Sequence, residues 1–307
     1  MTAPGIHASA LPNDLPPDRL RHRADADGHV AIDPGTAGWR YLSYETVTLS
    51  GADSVEIGGP DRETAVVLQS GGDAVVTEAA GERHLLEGRT SVFDGLPSAY
   101  YLPAGGTATI HAAADGPTTL AISSAPARPE VSSGLRSVLI RPSDIKVEIR
   151  GAGRSTRQIN HVIAPDFPAD RLLVVEVLTP AGNWSSWPPH KHDTDDMPDE
   201  AVLEEIYHYR FRRPEAWAIQ RIYRAAGSPL GAPRDALWAV RDGDVVVVTD
   251  GYHPFVATDA DDAYYLNALT GDRRTMACSF DPELDEVRAR WAGEALDPRV
   301  PLVGGAA

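Results

Sequence analysis

The sequence predicts an all-β protein of two β domains, and three observations carry that prediction. First, 27 glycines and 25 prolines punctuate the 307 residues at short intervals, between runs of Val, Ile, Thr and Tyr, as turns punctuate short strands. Second, the periodicity of an amphipathic helix is sustained almost nowhere, with weak stretches only at residues 18–24 and 282–290. Third, residues 124–143 are rich in Ser, Pro and Arg and lack alternation, so a boundary is expected at residue 140, giving domains of 1–140 and 141–307. Many short strands at regular spacing make each domain a sandwich or a barrel.

In chain order, strands are expected at residues 44–49, 64–68, 74–77, 172–179, 205–211, 217–223 and 244–248. The two halves also repeat. A shift of 146 residues lays Leu102-Pro103-Ala104-Gly105-Gly106-Thr107 over Val248-Thr249-Asp250-Gly251-Tyr252-His253, and Thr119-Leu120 over Tyr265-Leu266 without a gap. With similar strand patterns around Glu63 and Glu205, this points to an internal duplication. Between the halves, Arg150-Gly151-Ala152-Gly153-Arg154-Ser155 lacks the third glycine and the following helix of a phosphate-binding loop. It reads as a turn between strands, with Arg150, Arg154 and Arg157 as a solvated or interface strip.

Composition narrows the function classes. The chain has 28 basic and 44 acidic residues, a net charge of -16 and a pI near 5.0, which repels nucleic acid and anionic lipid, so neither is expected as a partner. A single cysteine, Cys278, excludes an internal disulfide and a thiolate metal cluster and is expected to be a half-buried small hydrophobe. The start, MTAPGIHASALPNDLPPDRL, lacks the basic and apolar regions of a secretory signal, and no apolar run nears the roughly 18 residues of a membrane span. A cytoplasmic location is expected.

Seven of the ten histidines are scattered. The others form a pattern. In Pro188-Pro189-His190-Lys191-His192-Asp193 two histidines stand at i and i+2, which in an extended segment puts both imidazoles on one face. Downstream, Leu203-Glu204-Glu205-Ile206-Tyr207 opens a strand with a carboxylate, and Asp242-Gly243-Asp244 leads through four valines to the turn Gly251-Tyr252-His253-Pro254. Three imidazoles and one carboxylate make a ligand set for Zn, Mn, Fe, Ni or Co, while the lack of thiolates disfavours a closed structural zinc. Alternation puts Glu205 on one face with Tyr207, Tyr209 and Phe211, the inward one, and Glu204 outside with His208 and Arg210. Glu205 is therefore the expected ligand. Lys191, one of only two lysines, points away from its two neighbours if the segment is regular.

These residues resemble the cupin superfamily, whose first motif carries H-x-H and a glutamate and whose second carries a histidine after a glycine turn. Together with Gln220-Arg221 and Tyr264-Tyr265-Leu266-Asn267, and more weakly Ala37-Gly38-Trp39, Ser91-Val92-Phe93 and Pro97, they are similar to the 5-deoxy-glucuronate isomerase family of myo-inositol catabolism. The resemblance implies a bicupin, two jelly-roll β-barrel domains of which only the second holds metal. In agreement, Thr107 takes the place of His253 in the first half and no H-x-H precedes Glu63. The spacing of 13 residues from His192 to Glu205 is longer than is usual in cupins; residues 193–200 read as an inserted acidic loop, which resembles what this family carries there.

The activity so implied is isomerisation of an aldehyde-bearing deoxyuronate to its 2-keto isomer, with a divalent transition metal, zinc or manganese foremost, and no oxygen or organic cofactor. Tyr265, Tyr207 and Gln220 are the candidates for catalytic groups on the inward face, and Lys191 and Arg221 for binding the substrate carboxylate. A homo-oligomer is expected. An iron-dependent cupin dioxygenase, marked by oxygen uptake, and a non-enzymatic sugar-binding cupin, indifferent to loss of the ligands, are the alternatives.

Overall fold

The computed structural model describes residues 15–113, 116–224, 228 and 230–304. Its main strands form two successive sets. The first comprises β1 (Ser43–Leu49), β2 (Ser54–Gly58), β3 (Arg62–Ser70), β4 (Ala74–Glu78), β5 (Arg83–Leu86), β6 (Ala99–Leu102), β7 (Thr107–Ala112) and β8 (Thr118–Pro126). The second comprises β9 (Leu173–Thr179), β10 (Trp184–Ser185), β11 (Leu203–Phe211), β12 (Trp217–Arg224), β13 (Arg234–Arg241), β14 (Val245–Val248), β15 (Phe255–Ala257) and β16 (Ala263–Gly271).

In the first set one sheet runs β6-β3-β8-β1 and the other β2-β7-β4-β5; in the second the orders are β14-β11-β16-β9 and β10-β15-β12-β13. The two orders match strand for strand, and each is that of a jelly roll, all neighbours being antiparallel. The duplication inferred from the 146-residue shift is therefore carried by topology: β6 ends at Leu102 where β14 ends at Val248. Each unit is an open two-sheet sandwich rather than a closed barrel.

Residues outside these strands tie the units together. Arg21–His22 pairs with β14, so the chain before the first unit adds a strand to the second. Val138–Ile140 still pairs with β6, whereas Lys146–Arg150 pairs with Arg157–Ile163, itself the neighbour of β9. The weak helical stretch at 282–290 becomes the short helix Asp285–Trp291, and the one at 18–24 a 3-10 turn, Pro17–Arg19, leading into extended chain. Among the described residues no helix is long and apolar enough to cross a membrane.

Burial shows which faces meet. In β12 buried residues alternate with more exposed ones, whereas every residue of β9 and of β16 is buried. A strand buried on both faces has a partner on each. One face of the β14-β11-β16-β9 sheet looks into its own sandwich; the other packs on the β6-β3-β8-β1 sheet of the first unit, sharing one core with Tyr44, Val67, Tyr101 and Ala121. This corrects the expectation that Glu204 and His208 lie outside. Both are buried, because their face meets the first unit rather than water. His208 Nδ1 and the Tyr44 hydroxyl are 2.6 Å apart.

Glu204 accepts the backbone N–H groups of Arg40, Tyr41 and Leu42, just before β1, at 2.5, 2.9 and 2.8 Å. The first unit answers in kind. Glu63, second residue of β3 as Glu204 is of β11, accepts the N–H groups of Asp170, Arg171 and Leu172, just before β9, at 2.9, 2.6 and 2.8 Å. Each unit thus clasps the entry to the other's first strand with a buried carboxylate. In the first unit Glu63 is the counterpart of Glu204, not of Glu205.

Candidate active site

His190 and His192 stand on an extended segment, of which His190–Lys191 pairs with Ser279–Phe280. Alternation turns both imidazoles into the second sandwich and Lys191 the other way. The Lys191 ammonium donates to Asp193, Thr194 and Glu200 at 2.7, 3.1 and 2.8 Å. Burial alone would lower its pKa, but these carboxylates hold it above the usual lysine value. Lys191 is therefore the anchor of the acidic loop and lies outside the cavity described below. That loop in turn fixes the glycine turn. Asp193 Oδ2 accepts the N–H of Gly251 at 2.8 Å. Gly251 has φ +80°, and a Cβ there would stand 2.6 Å from the Tyr223 carbonyl oxygen, so only glycine fits.

The turn delivers His253 to the carboxylate of Glu205. Glu205 Oε2 lies 2.8 Å from His192 Nε2 and 3.3 Å from His253 Nε2, and all three side chains are buried. The other ring nitrogens face carbonyls, His192 Nδ1 at 3.0 Å from Leu203 O and His253 Nδ1 at 2.9 Å from Gly251 O. A carbonyl only accepts, so each Nδ1 carries a proton, and each Nε2 is the nitrogen turned to the carboxylate. Three possible ligand atoms then converge within 4.8 Å of one another, and His253 Nε2 is buried without a hydrogen-bond partner. A proton shared between His192 and Glu205, or a metal ion in its place, satisfies that arrangement. Ligands about 2.1 Å from one ion and at right angles stand about 3 Å apart, close to the separations found, so the set fits a divalent transition metal.

Burial works against ionising Glu205, yet its hydrogen bond with His192 and the nearby His253 imidazole hold the carboxyl well below its ordinary value. Burial likewise lowers His192, but Glu205 outweighs it and keeps this imidazole above its ordinary value. His190 is pushed well below 6.5 by burial and by the neighbouring imidazoles, so its ring is neutral and free to donate an electron pair. Its ring centroid is 4.6 Å from that of His253 and 6.3 Å from that of His192.

A cavity of about 410 Å³ opens over these donors. Its lining includes Tyr207, Tyr265, Ser185, Ser186, Asn267 and Arg157, with apolar walls from Ile159, Val175, Val177 and Leu269. The Tyr265 hydroxyl bonds Ser185, and that of Tyr207 bonds Ser186 Oγ at 2.8 Å. Ser186 has φ +48°, the left-handed conformation that side chains rarely adopt, and is the one non-glycine with positive φ among the described residues. Cys278 also lines the cavity, and burial pushes its thiol up to about 11, so at neutral pH it is an unreactive small group.

Of the residues singled out from sequence, the structure gathers His190, His192, Glu205, His253, Tyr207 and Tyr265 around one cavity. It leaves three elsewhere. Gln220 sits behind the turn, accepting from the Tyr209 hydroxyl at 2.8 Å and donating to the carbonyls of His253 and Pro254 at 3.0 and 3.2 Å, so it braces His253 instead of facing the cavity. Arg221 lies on the outer side of β12, in a bidentate pair with Asp235 at 2.8 and 2.9 Å. Lys191 is spent on the acidic loop. The reading of Arg157 as a solvated or interface strip is also corrected: it is buried and lines the cavity. Its signal was available, since Arg157 and Ile159 share a face of one strand.

The family model for KduI/IolB proteins matches residues 18–287. The 5-deoxy-glucuronate isomerase of Geobacillus kaustophilus is 36% identical over 269 residues, 87% of this chain and 93% of that protein. Among solved structures, an IolB-like protein from Salmonella typhimurium is 34% identical with a TM-score of 0.79, covering 87% of this chain and 98% of its own. Bacillus subtilis oxalate decarboxylase, a protein with Mn(II) centres, shares the fold with a TM-score of 0.54 at 13% identity, covering 85% of this chain and 79% of its own.

Proposed function

The chain belongs to the KduI/IolB family, and from that premise we propose that it is a metal-dependent aldose-ketose isomerase, converting 5-deoxy-glucuronate into 5-dehydro-2-deoxy-gluconate in inositol catabolism. The observation that carries this reading is the convergence of His192, Glu205 and His253 on one point of a cavity large enough for a six-carbon sugar acid. His190, His192, Glu205 and His253 would hold the ion, zinc or manganese, since nitrogen and oxygen donors suit both and the reaction needs no redox change. Bound there, it supplies Lewis acidity at a carbonyl oxygen.

The isomerisation moves one proton from C2 to C1 and another from the C2 hydroxyl to the C1 oxygen, with atoms and electrons balanced. The chain must supply a group that takes and returns protons. Burial raises the hydroxyls of Tyr207 and Tyr209 well above their ordinary value. It raises Tyr265 too, but hydrogen bonds with Ser185 and Ser186 and the nearby charge of Arg157 offset part of that penalty. Tyr265 is the proton carrier in this proposal, with Ser185 as its relay, and Tyr207 holds a substrate hydroxyl. Gln220 positions His253 and exchanges no proton.

The test joins elemental analysis to an anaerobic assay with 5-deoxy-glucuronate deuterated at C2. About one divalent ion per chain is expected, with less in H190A. Turnover should proceed without oxygen and be slowed by the label or release it to solvent. Stoichiometric oxygen uptake, or a product of fewer carbons, overturns the isomerase and promotes the dioxygenase.

A further inference from the structure

We infer that Arg157 is the receptor for the substrate's carboxylate and so sets the specificity of the cavity for sugar acids over neutral sugars. This rests on the isomerase reading for the identity of the sugar, but its grounds are separate. Three arginines are buried among the described residues: Arg89, Arg157 and Arg224. Arg89 is paired with Glu176 at 2.5 Å and Arg224 with Asp250 at 2.5 Å. Arg157 has no carboxylate within ion-pair distance among the described residues. One of its terminal nitrogens donates to the carbonyls of Ser155 and Trp187, at 3.0 and 3.2 Å. The rest of the guanidinium is left to the cavity and to the ring of Trp291, whose centroid is 5.7 Å away.

A buried cation without a counter-ion is costly, and burial pushes this guanidinium down to about 10. Proteins tolerate such a charge where a ligand completes the pair. The other arginines of the cavity are otherwise engaged. Arg150 is held bidentately by Glu148 at 2.8 and 3.0 Å, and Arg288 is exposed, stacked over Phe280. Arg157 lines the same cavity as His190, His192, Glu205 and Tyr265. A planar fork matches a carboxylate in a way that a point charge does not. An acid anchored at Arg157 presents its far, aldehyde end to the histidine cluster, and an alcohol in place of the carboxylate leaves the cation buried and unpaired.

The experiment compares 5-deoxy-glucuronate with 5-deoxy-glucose, the same chain ending in an alcohol, by calorimetric binding and by turnover, on wild type, R157K and R157Q. Two charge-assisted bonds should make wild type prefer the acid by roughly a hundredfold, R157K by clearly less, and R157Q by almost nothing. A merely structural arginine would lower the melting temperature and leave the ratio unchanged. Wild type that binds both sugars alike overturns the proposal whether or not the variants fold, as does R157Q that keeps the preference. Failure of the isomerase reading looks different: the acid binds through Arg157 but is not turned over. Wild type that binds neither sugar overturns both.

Discussion

Glu204 and Glu205 are neighbours on β11 that face opposite ways, and replacing each should damage a different property. Glu204 is 3% exposed and satisfies three backbone N–H groups of the first unit. In E204A those donors lose their partner; the Leu42 bond is buried and those of Arg40 and Tyr41 are partly so, and at about 1–3 kcal/mol for a fully buried unsatisfied group the gross loss is several kcal/mol at most. Two effects reduce it. Burial raises the Glu204 carboxyl above its ordinary value despite the N–H bonds, so the native site bears a desolvation penalty that alanine relieves. Water can also enter the space left behind. A net loss of about 3 kcal/mol is expected, somewhat over a hundredfold in the folded to unfolded ratio. E205Q should leave stability near that of wild type while ion content and turnover collapse. Urea unfolding and elemental analysis of both variants read the contrast. If E204A unfolds at the wild-type midpoint, or E205Q retains its metal, the two faces of β11 have been misassigned.

Three further outcomes are expected. Y265F should lower kcat by roughly a hundredfold or more with ion content unchanged, as loss of a general acid–base group does; unaltered kcat would move the proton chemistry elsewhere. G251A places a Cβ 2.6 Å from the Tyr223 carbonyl oxygen at φ +80°, so it should cost at least about 1–2 kcal/mol in unfolding and loosen metal by displacing His253, both measurable on one preparation. Glu148 is held at about 2 instead of 4.5, chiefly by its hydrogen bonds with Arg150, with burial opposing and His161 assisting. A depressed folded pKa contributes stability above 4.5 that is lost as pH falls toward 2, so E148Q should flatten the acid limb of a melting-temperature profile across that window; an unchanged limb counts against it.

Much of this was legible in the sequence, and what was not has a common cause. The expected strands and the proposed ligands His190, His192, Glu205 and His253 follow from local patterns, alternation and the spacing of donors. The inward face of β11 was read correctly from Tyr207 and Tyr209, but its other face was assigned to solvent because alternation within one strand cannot reveal a second sheet packed on it. Glu204 and His208 were misplaced for that reason. Arg221 and Lys191 were chosen as cations, yet cations are usually claimed by nearby acids, here Asp235, Asp193 and Glu200, and sequence does not show who claims whom. Arg157 was passed over beside a glycine-rich turn, although the structure leaves it without an acidic partner.

The matching units also show why only one of them has the proposed donor set. Gly105 and Gly251 both turn with positive φ at equivalent places, and the strands before them end alike. The units part company between their second and third strands. In the first, β2 ends at Gly58 and β3 starts at Arg62, a turn too short to carry two histidines. In the second, β10 ends at Ser185 and β11 starts at Leu203, and that longer connection holds His190, His192 and the acidic loop that clamps Lys191. Two of the four proposed donors are therefore missing with the connection, and the other two, Glu205 and His253, are replaced by Thr64 and Thr107. What the first unit keeps is the clasp, Glu63 and its packed sheet. Its contribution is mechanical: it covers the back of β11 and so fixes the strand whose other face presents Glu205 to the histidines.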